Sequence, residues 1–368
     1  MLTLPARYIP FYALLLSCIA LKAQQEESKW LSATSHYGFI IPHSVGMEYL
    51  INGHTRGGET SLYKTTGGKH KWERDYNNPD IGISVLYLFL ANPSQLGFGL
   101  GIHPYVNFPL IKGKHSGLKF KAATSVGYLS KIFDPVNNFK NIAIGSHLNG
   151  FVNLRLNAYH DLGKDLRIEY GIGLSHFSNG AYKMPNLGIN IPTLALGLAY
   201  KCSSQKVSLP EMVNDSLKSN YEVVCVAGGC KAEVPPPLHN NYLAFTFSSS
   251  IDWVKLTKHR FLIGAELGYN GGNAERLEEN TPLMKTRADL LQEGIKLGYA
   301  FRIGQLELPL EFGYYLHTLC KSNGMYFHRI GLRYYMTNNI LLNLTLKTHW
   351  AVADYWEFGV GYRFRKKK

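Results

Sequence analysis

The residues of this sequence best suited to chemistry are a histidine and a serine two positions apart, His176 and Ser178. A serine hydroxyl becomes an effective nucleophile only when a base takes its proton. Residues i and i+2 share one face of a strand, so the histidine can serve as that base. A base of this kind needs a third group that fixes its ring proton. The pair therefore suggests nucleophilic chemistry, provided that a third residue orients the histidine. By itself it means little, because about one His-x-Ser is expected by chance in a chain with 14 histidines.

The segment around the pair alternates between apolar and polar residues. On the side of His176 and Ser178 the chain carries an apolar series, formed by Leu166, Ile168, Tyr170, Ile172 and Leu174. The opposite side carries charged residues and glycines. This period of two is typical of a strand, and an apolar stripe is typical of a strand that faces lipid. We therefore expect the histidine and the serine to face hydrocarbon near the end of a membrane strand.

A hairpin centred at Lys183 supplies the third group. In a symmetric register it places Asn190 opposite His176, and cross-strand partners lie about 5 Å apart. Leu174 is then opposite Pro192 in the same register. The side-chain oxygen of Asn190 could accept a hydrogen bond from the imidazole and orient it.

The loop of this hairpin contains groups that could stabilise a negatively charged oxygen. Asn179, Gly180 and Asn186 follow Ser178 closely, and their amide and backbone N–H groups are suitable oxyanion donors. Lys183 in the same loop could meet a lipid phosphate, although a solvated loop lysine is an equally good interpretation.

The elements that must position these residues are predicted to be strands throughout. The chain is 45% hydrophobic, with 36 glycines and 24 tyrosines, and its apolar runs after the N-terminus are short and alternating. This pattern predicts an all-β fold, an antiparallel transmembrane β-barrel of about 14 strands within a range of 12–16. Strands are expected near 45–53, 56–64, 80–91, 95–109, 117–129, 147–159, 165–178, 190–201, 241–254, 258–271, 292–303, 306–318, 325–337, 340–350 and 353–365. The stretch 219–227 fits either a strand or a loop.

The ends of the chain suggest export. Arg7, an apolar run over 11–21 and Ala23 have the layout of a signal peptide at 1–23; a lipobox ending at Cys18 is the alternative. Residues 24–368 are then expected to form a single outer-membrane barrel domain, with a long loop at 202–240. In the last strand, an apolar stripe from Trp356 to Phe364 favours an outer-membrane strand over a strand of a soluble sandwich.

Charge and cysteine content narrow the partners. The formal net charge of +13 favours anionic partners, and for an exported chain lipid phosphates are a more natural partner than nucleic acid. Basic loops that simply rest on an anionic membrane are an equally good interpretation. Cys225 and Cys230 are close enough in sequence to form a small loop disulfide in an oxidising compartment. No cysteine and histidine spacing predicts a metal site, and the expected chemistry needs no cofactor.

The string from His176 to Gly180, with Pro185-Asn186 and Asn190, resembles the lipid A 3-O-deacylase (PagL-like) and acyloxyacyl hydrolase family of outer-membrane β-barrels. The resemblance covers about thirty residues, 170–200. It implies a Ser/His hydrolase that removes an acyl chain from lipid A of lipopolysaccharide. His176 would be the base and Ser178 the nucleophile.

The resemblance also marks one departure. Asn179 and Asn186 match family asparagines near the oxyanion site, but Asn190 stands where the family has an acidic residue. A neutral residue can orient a histidine but cannot balance its positive charge. The alternatives are a non-catalytic barrel (a pore, a transporter or a structural protein) that retains a relic motif, or an enzyme that acts on glycerophospholipids.

Overall fold

The structure is a computed structural model that describes residues 25–208, 220–233, 240–255, 258–278, 286–350 and 352–365. The predicted signal peptide lies outside these ranges. Within them the chain forms sixteen antiparallel strands in two closed barrels of eight strands each. Each barrel is a meander, in which every strand pairs with its neighbours in sequence. In the first barrel the eighth strand closes onto the first, and in the second barrel the last strand closes onto the ninth.

The first barrel contains β1 (Gln25–Gly38), β2 (Thr55–Thr65), β3 (Asp80–Phe89), β4 (Phe98–Lys112), β5 (Ser116–Leu129), β6 (Leu148–Asp161), β7 (Leu166–Ser178) and β8 (Ile189–Val207). The second contains β9 (Asn220–Glu233), β10 (Asn241–Lys255), β11 (His259–Asn270), β12 (Leu291–Ile303), β13 (Leu306–His317), β14 (Tyr326–Tyr335), β15 (Ile340–His349) and β16 (Val352–Arg365). Two short α-helices, α1 (Lys71–Asp75) and α2 (Asn273–Glu278), and two 3-10 helices, Met47–Leu50 and Arg287–Leu290, lie between strands.

The all-β fold is confirmed, and sixteen strands lie at the upper end of the expected range. The expectation of a single barrel is wrong, because β8 pairs with β1 and not with β9. Much of the predicted loop at 202–240 is also strand. β8 continues to Val207 and β9 occupies Asn220–Glu233, while 209–219 and 234–239 lie outside the described residues.

The first strand of the first barrel lies earlier in the chain than the sequence predicts. The expected strand at 45–53 is a loop with a 3-10 helix, which follows Gly46 in the left-handed region at φ 86° and buries Met47 and Leu50. The first strand is instead β1. Its inward side carries Ser28, Trp30, Ser32, Thr34 and His36, and its outward side is only partly apolar. β1 therefore lacks the apolar stripe that identified the other strands.

The predicted disulfide between Cys225 and Cys230 is wrong. Both residues lie on β9, and both are free cysteines. Five residues of extended strand separate two Cα atoms by roughly 16 Å, whereas a disulfide requires a separation below about 7 Å. The residues that pair with them across the β9–β10 ladder are Ser249 and Ala244.

The outer faces of both barrels are apolar and exposed. Large side chains project from them, among them Leu62, Ile83, Ile102, Ile172, Leu194, Leu196, Phe247, Ile263, Leu297, Ile330, Leu344 and Val360. Such bands are typical of lipid-facing surfaces. Among the described residues, no helix is both long and apolar enough to cross a bilayer.

Charged side chains fill the interiors, as expected for eight strands, which enclose just enough space for side chains. In the first barrel, Glu59 contacts Lys121, Arg155 and His36. In the second, Arg329 contacts three carboxylates, at 2.9 Å from Glu266, 2.8 Å from Glu311 and 2.6 Å from Glu357. These groups are almost completely buried. Buried charges are retained where they are paired.

The loops that follow β1, β3, β5 and β7 meet at one end of the first barrel. Their apolar residues join the barrel interior in one buried cluster, which includes Ile40, Met47, Leu50, Leu90, Leu96, Ala143, Ile144, Phe151, Phe177 and Ile189. This packing fixes the loops against one another. It provides a rigid base for the hairpin that contains the candidate site.

Candidate functional site

The hairpin of β7 and β8 has the register expected from the sequence. His176 pairs with Asn190, Leu174 with Pro192, and Ile172 with Leu194. The neighbours of His176 in sequence, Ser175 and Phe177, are buried in the barrel interior. His176, Ser178 and Asn190 therefore lie on the outer face of the barrel, each partly exposed.

The imidazole of His176 is held by Asn190. Its Nδ1 lies 2.6 Å from Oδ1 of Asn190. Because an amide oxygen only accepts, Nδ1 must carry the proton and donate it. In the neutral ring this leaves Nε2 with a free lone pair, which is the form that can accept a proton from a nucleophile.

A second histidine, His43, fixes the orientation of Asn190. The Nε2 of His43 lies 2.9 Å from the backbone oxygen of Leu187, to which it donates. The Nδ1 of a neutral His43 is then an acceptor, 3.2 Å from Nδ2 of Asn190. With its Nδ2 donating to His43, Asn190 must present Oδ1 to His176. The same Nδ1 also lies 3.2 Å from the oxygen of Ile41, which it could bond only if it carried the proton.

His43 is not among the site residues that the sequence predicts. Nothing in its local sequence connects it with His176, from which it is separated by most of the first barrel. Closure of β8 onto β1 continues past the end of β1, where the N–H of Ile41 donates to the oxygen of Asn190 at 3.0 Å. This places His43 beside the start of β8. His43 comes near the site only because β8 pairs with β1. A correct prediction of β1 would have been needed to find it.

The side chain of Ser178 forms hydrogen bonds with the loop that follows it. Its Oγ lies 3.2 Å from Oδ1 and 3.1 Å from Nδ2 of Asn186, and 3.3 Å from the N–H of Gly180. In the described part of the chain its hydrogen bonds go to this loop and not to His176. Catalytic hydrogen bonds are often unformed before substrate binds.

The imidazole and the serine nevertheless face the same point of the hairpin. Gly188 has φ +79°, and a Cβ on this residue would lie 3.0 Å from Cε1 of His176 and 3.6 Å from Cβ of Ser178. The two side chains thus converge where Gly188 leaves a gap. A glycine is needed there for both its backbone conformation and its lack of a side chain.

Asn179 and Asn186 hold the loop in place. The buried side chain of Asn179 donates to the Oγ of Ser146 at 2.9 Å and to the oxygen of Lys183 at 2.6 Å. Its backbone N–H donates to Oδ1 of Asn186 at 2.9 Å. Both side-chain N–H groups of Asn179 and its backbone N–H are therefore engaged. Near the hydroxyl of Ser178, the donors are the N–H of Gly180 and Nδ2 of Asn186.

The geometry supports acyl transfer chemistry. A serine hydroxyl, an imidazole with an oriented ring and two N–H donors lie together on the outer face of the barrel. In acyl transfer, groups of these types could serve as nucleophile, base and oxyanion donors. Among the described residues, no group of three or more histidine, cysteine, aspartate or glutamate side chains is placed to hold a metal ion.

Two family models match the chain, one for each barrel. Residues 56–199 match the model described as lipid A 3-O-deacylase (PagL). Residues 219–366 match the model described as acyloxyacyl hydrolase, C-terminal domain. The matches together span most of the chain. The first ends within β8 and the second begins one residue before β9, so each match lies in one barrel.

Several solved structures match the chain at low sequence identity. The translocator domain of the autotransporter NalP from Neisseria meningitidis is 11% identical, with 98% of this chain and 96% of that chain covered and a TM-score of 0.22. A porin mutant of Rhodopseudomonas blastica is 8% identical, with 92% and 100% covered and a TM-score of 0.19. CdiB from Acinetobacter baumannii is 10% identical; 93% of this chain and 60% of CdiB are covered, with a TM-score of 0.18. No curated protein matches the sequence.

Proposed function

Because the chain belongs to the lipid A 3-O-deacylase (PagL) family, we propose that it cleaves an ester-linked acyl chain from lipid A in the outer membrane by a Ser/His mechanism. Membership of the family supports a hydrolase and a lipid A substrate. The observation that carries the mechanism is the hydrogen bond of 2.6 Å between His176 and Asn190. It leaves Nε2 of His176 unprotonated and available as a base.

The first half-reaction transfers the acyl chain to the enzyme. Ser178 turns from Asn186 toward His176, and its Oγ attacks the carbonyl carbon of the ester while Nε2 of His176 takes the proton. The negative charge on the carbonyl oxygen is stabilised by the N–H of Gly180 and Nδ2 of Asn186. His176 then returns the proton to the departing sugar oxygen, and an acyl-serine remains.

The second half-reaction releases a fatty acid. His176 takes a proton from a water molecule, whose oxygen attacks the acyl-serine, and the Oγ of Ser178 recovers a proton from His176. During both steps Asn190 holds the Nδ1 proton of the imidazolium. Asn190 supplies a dipole where an acidic residue would supply a full charge, so we expect slow turnover.

The position of the site suits a substrate that stays in the membrane. The apolar outer residues of β7 and β8, Ile172, Leu174 and Leu194, are exposed directly next to the site. The acyl chain can lie along them while its ester reaches Ser178. The filled interiors of both barrels favour this function over the alternative of a pore.

The direct test is mass spectrometry of purified lipid A incubated with the protein in detergent micelles. Wild type is expected to remove one acyl chain and release a fatty acid, and Ser178→Ala is expected to lose at least about 10³-fold in rate. Ser175→Ala is the matched control, because Ser175 lies one position from His176 but points into the barrel. Unchanged lipid A with correctly folded wild type would exclude the proposal. A parallel incubation with glycerophospholipids tests the phospholipase alternative.

A further inference from the structure

Trp356 of the second barrel makes a direct hydrogen bond to the loop of the site. This tryptophan lies on the outer face of β16, opposite Leu346 of β15. Its Nε1–H donates to the backbone oxygen of Asn179 at 2.9 Å. The indole also packs against Gly180, where a Cβ would lie only 2.2 Å from Nε1. Part of the apolar stripe predicted to face lipid is thus an inter-barrel contact.

The hydrogen bond of Trp356 falls on the peptide unit that supplies an oxyanion donor. The oxygen of Asn179 and the N–H of Gly180 belong to one planar amide and point in opposite directions. The oxygen accepts from Trp356, and the N–H lies 3.3 Å from Oγ of Ser178. Fixing one side of this amide therefore fixes the direction of the other. Hydrogen bonding to the oxygen also polarises the N–H and makes it a better donor.

Other contacts attach the same loop to the second barrel. The ammonium of Lys231, near the end of β9, lies 4.6 Å above the ring of Tyr182. The methyl Cδ1 of Leu346 lies 3.0 Å from the Cβ position of Gly180. Gly180 has φ +65°, so its conformation and this close packing both require glycine.

We infer that Trp356 of the second barrel is a positioning residue that aims the oxyanion donor of Gly180 in the first barrel. The inference rests on the proposed function and adds a role for the second barrel in it. Trp356 does not touch the reacting atoms. It acts through the peptide unit between Asn179 and Gly180.

The test is Trp356→Phe, which keeps an aromatic ring against Gly180 but removes the N–H donor. Complete loss of an oxyanion donor costs about 10²–10³ in turnover. Trp356→Phe keeps the N–H of Gly180 and removes only the hydrogen bond that orients it. We therefore expect kcat to fall about 10-fold, less than for complete loss of a donor, with KM unchanged. An alkyl fluorophosphonate modifies Ser178 by forming a P–Oγ bond while fluoride leaves and His176 takes the hydroxyl proton. The rate of this modification should fall by a similar factor, since the phosphoryl oxygen occupies the oxyanion position.

The matched control is Trp253→Phe, which makes the same change in the same barrel at a tryptophan that contacts Phe261. It should retain wild-type kcat. Folding of every variant is checked by comparing its electrophoretic mobility with and without heating, and each variant should behave as wild type does. If wild type is inactive, the proposed function fails. If wild type is active and Trp356→Phe leaves kcat and phosphonylation unchanged, the role of Trp356 is disproved while the proposed function stands.

Discussion

Asn190 lies directly opposite His176 in the β7–β8 ladder, and its side-chain oxygen accepts the Nδ1 proton of the imidazole at 2.6 Å. The contact is made by a neutral amide, whereas the family resemblance implies an acidic residue at this position. It has the geometry of an orienting residue but not the charge. This difference gives the first prediction.

Asn190→Asp should raise kcat. A carboxylate at this position keeps the hydrogen bond to His176 and stabilises the imidazolium formed in the transition state. In serine proteases the reverse change costs about 10⁴ in turnover, which sets a ceiling, and we expect a gain of about 10-fold. Asn190→Leu, which cannot accept a hydrogen bond, should lower kcat by about 10²-fold. The measurement is fatty-acid release from lipid A. A lower rate for Asn190→Asp than for wild type would contradict this account of the site.

His43→Ala should lower kcat about 10-fold without removing Ser178 reactivity. The change removes the acceptor for Nδ2 of Asn190, so the amide can turn and present the wrong group to His176. The control is His54→Ala, since His54 lies on the neighbouring loop segment and stacks on Tyr37 instead. Equal rates for both variants would show that His43 has no role in orienting Asn190.

Gly188→Ala should reduce kcat by about 10²-fold while the barrel still folds. The new methyl group would lie 3.0 Å from Cε1 of His176 at a backbone φ of +79°, so both the imidazole and the loop must shift. A displacement of about 1 Å can cost this much in rate. Gly163→Ala is the control, because a Cβ there meets nothing within 4 Å. Activity of Gly188→Ala near that of the control would show that the imidazole does not work from its observed position.

Arg329→Met should destabilise the second barrel by about 3–5 kcal/mol. The variant leaves Glu266, Glu311 and Glu357 buried with less compensating positive charge. Urea titration in micelles, followed by tryptophan fluorescence, measures the free energy of unfolding. The exposed Arg287→Met should change it by no more than about 0.5 kcal/mol. Similar values for the two variants would indicate that the buried network contributes little.

Features that depend on residues close together in the chain could mostly be predicted from the sequence. Alternation located fourteen of the strands, and hairpin symmetry placed Asn190 opposite His176, because both depend on residues close in the chain. The division into two barrels was not predictable in this way. It depends on whether β8 pairs with β1 or with β9, and the apolar outer faces of both halves are alike.

The same limit applied to the site. His176, Ser178, Asn186 and Asn190 belong to one hairpin and could be identified together. His43 and Trp356 reach that hairpin only through barrel closure and through contact between barrels. Their sequence neighbourhoods carry no sign of these contacts, so only the three-dimensional arrangement connects them with Ser178.

The outward projection of His176 and Ser178 has a kinetic consequence. A substrate that approaches this face does so by lateral diffusion within the membrane or micelle. The encounter rate then depends on the mole fraction of substrate among the surrounding lipid and detergent molecules, and not on its bulk concentration. Adding inert detergent at fixed substrate should therefore slow the reaction by surface dilution alone.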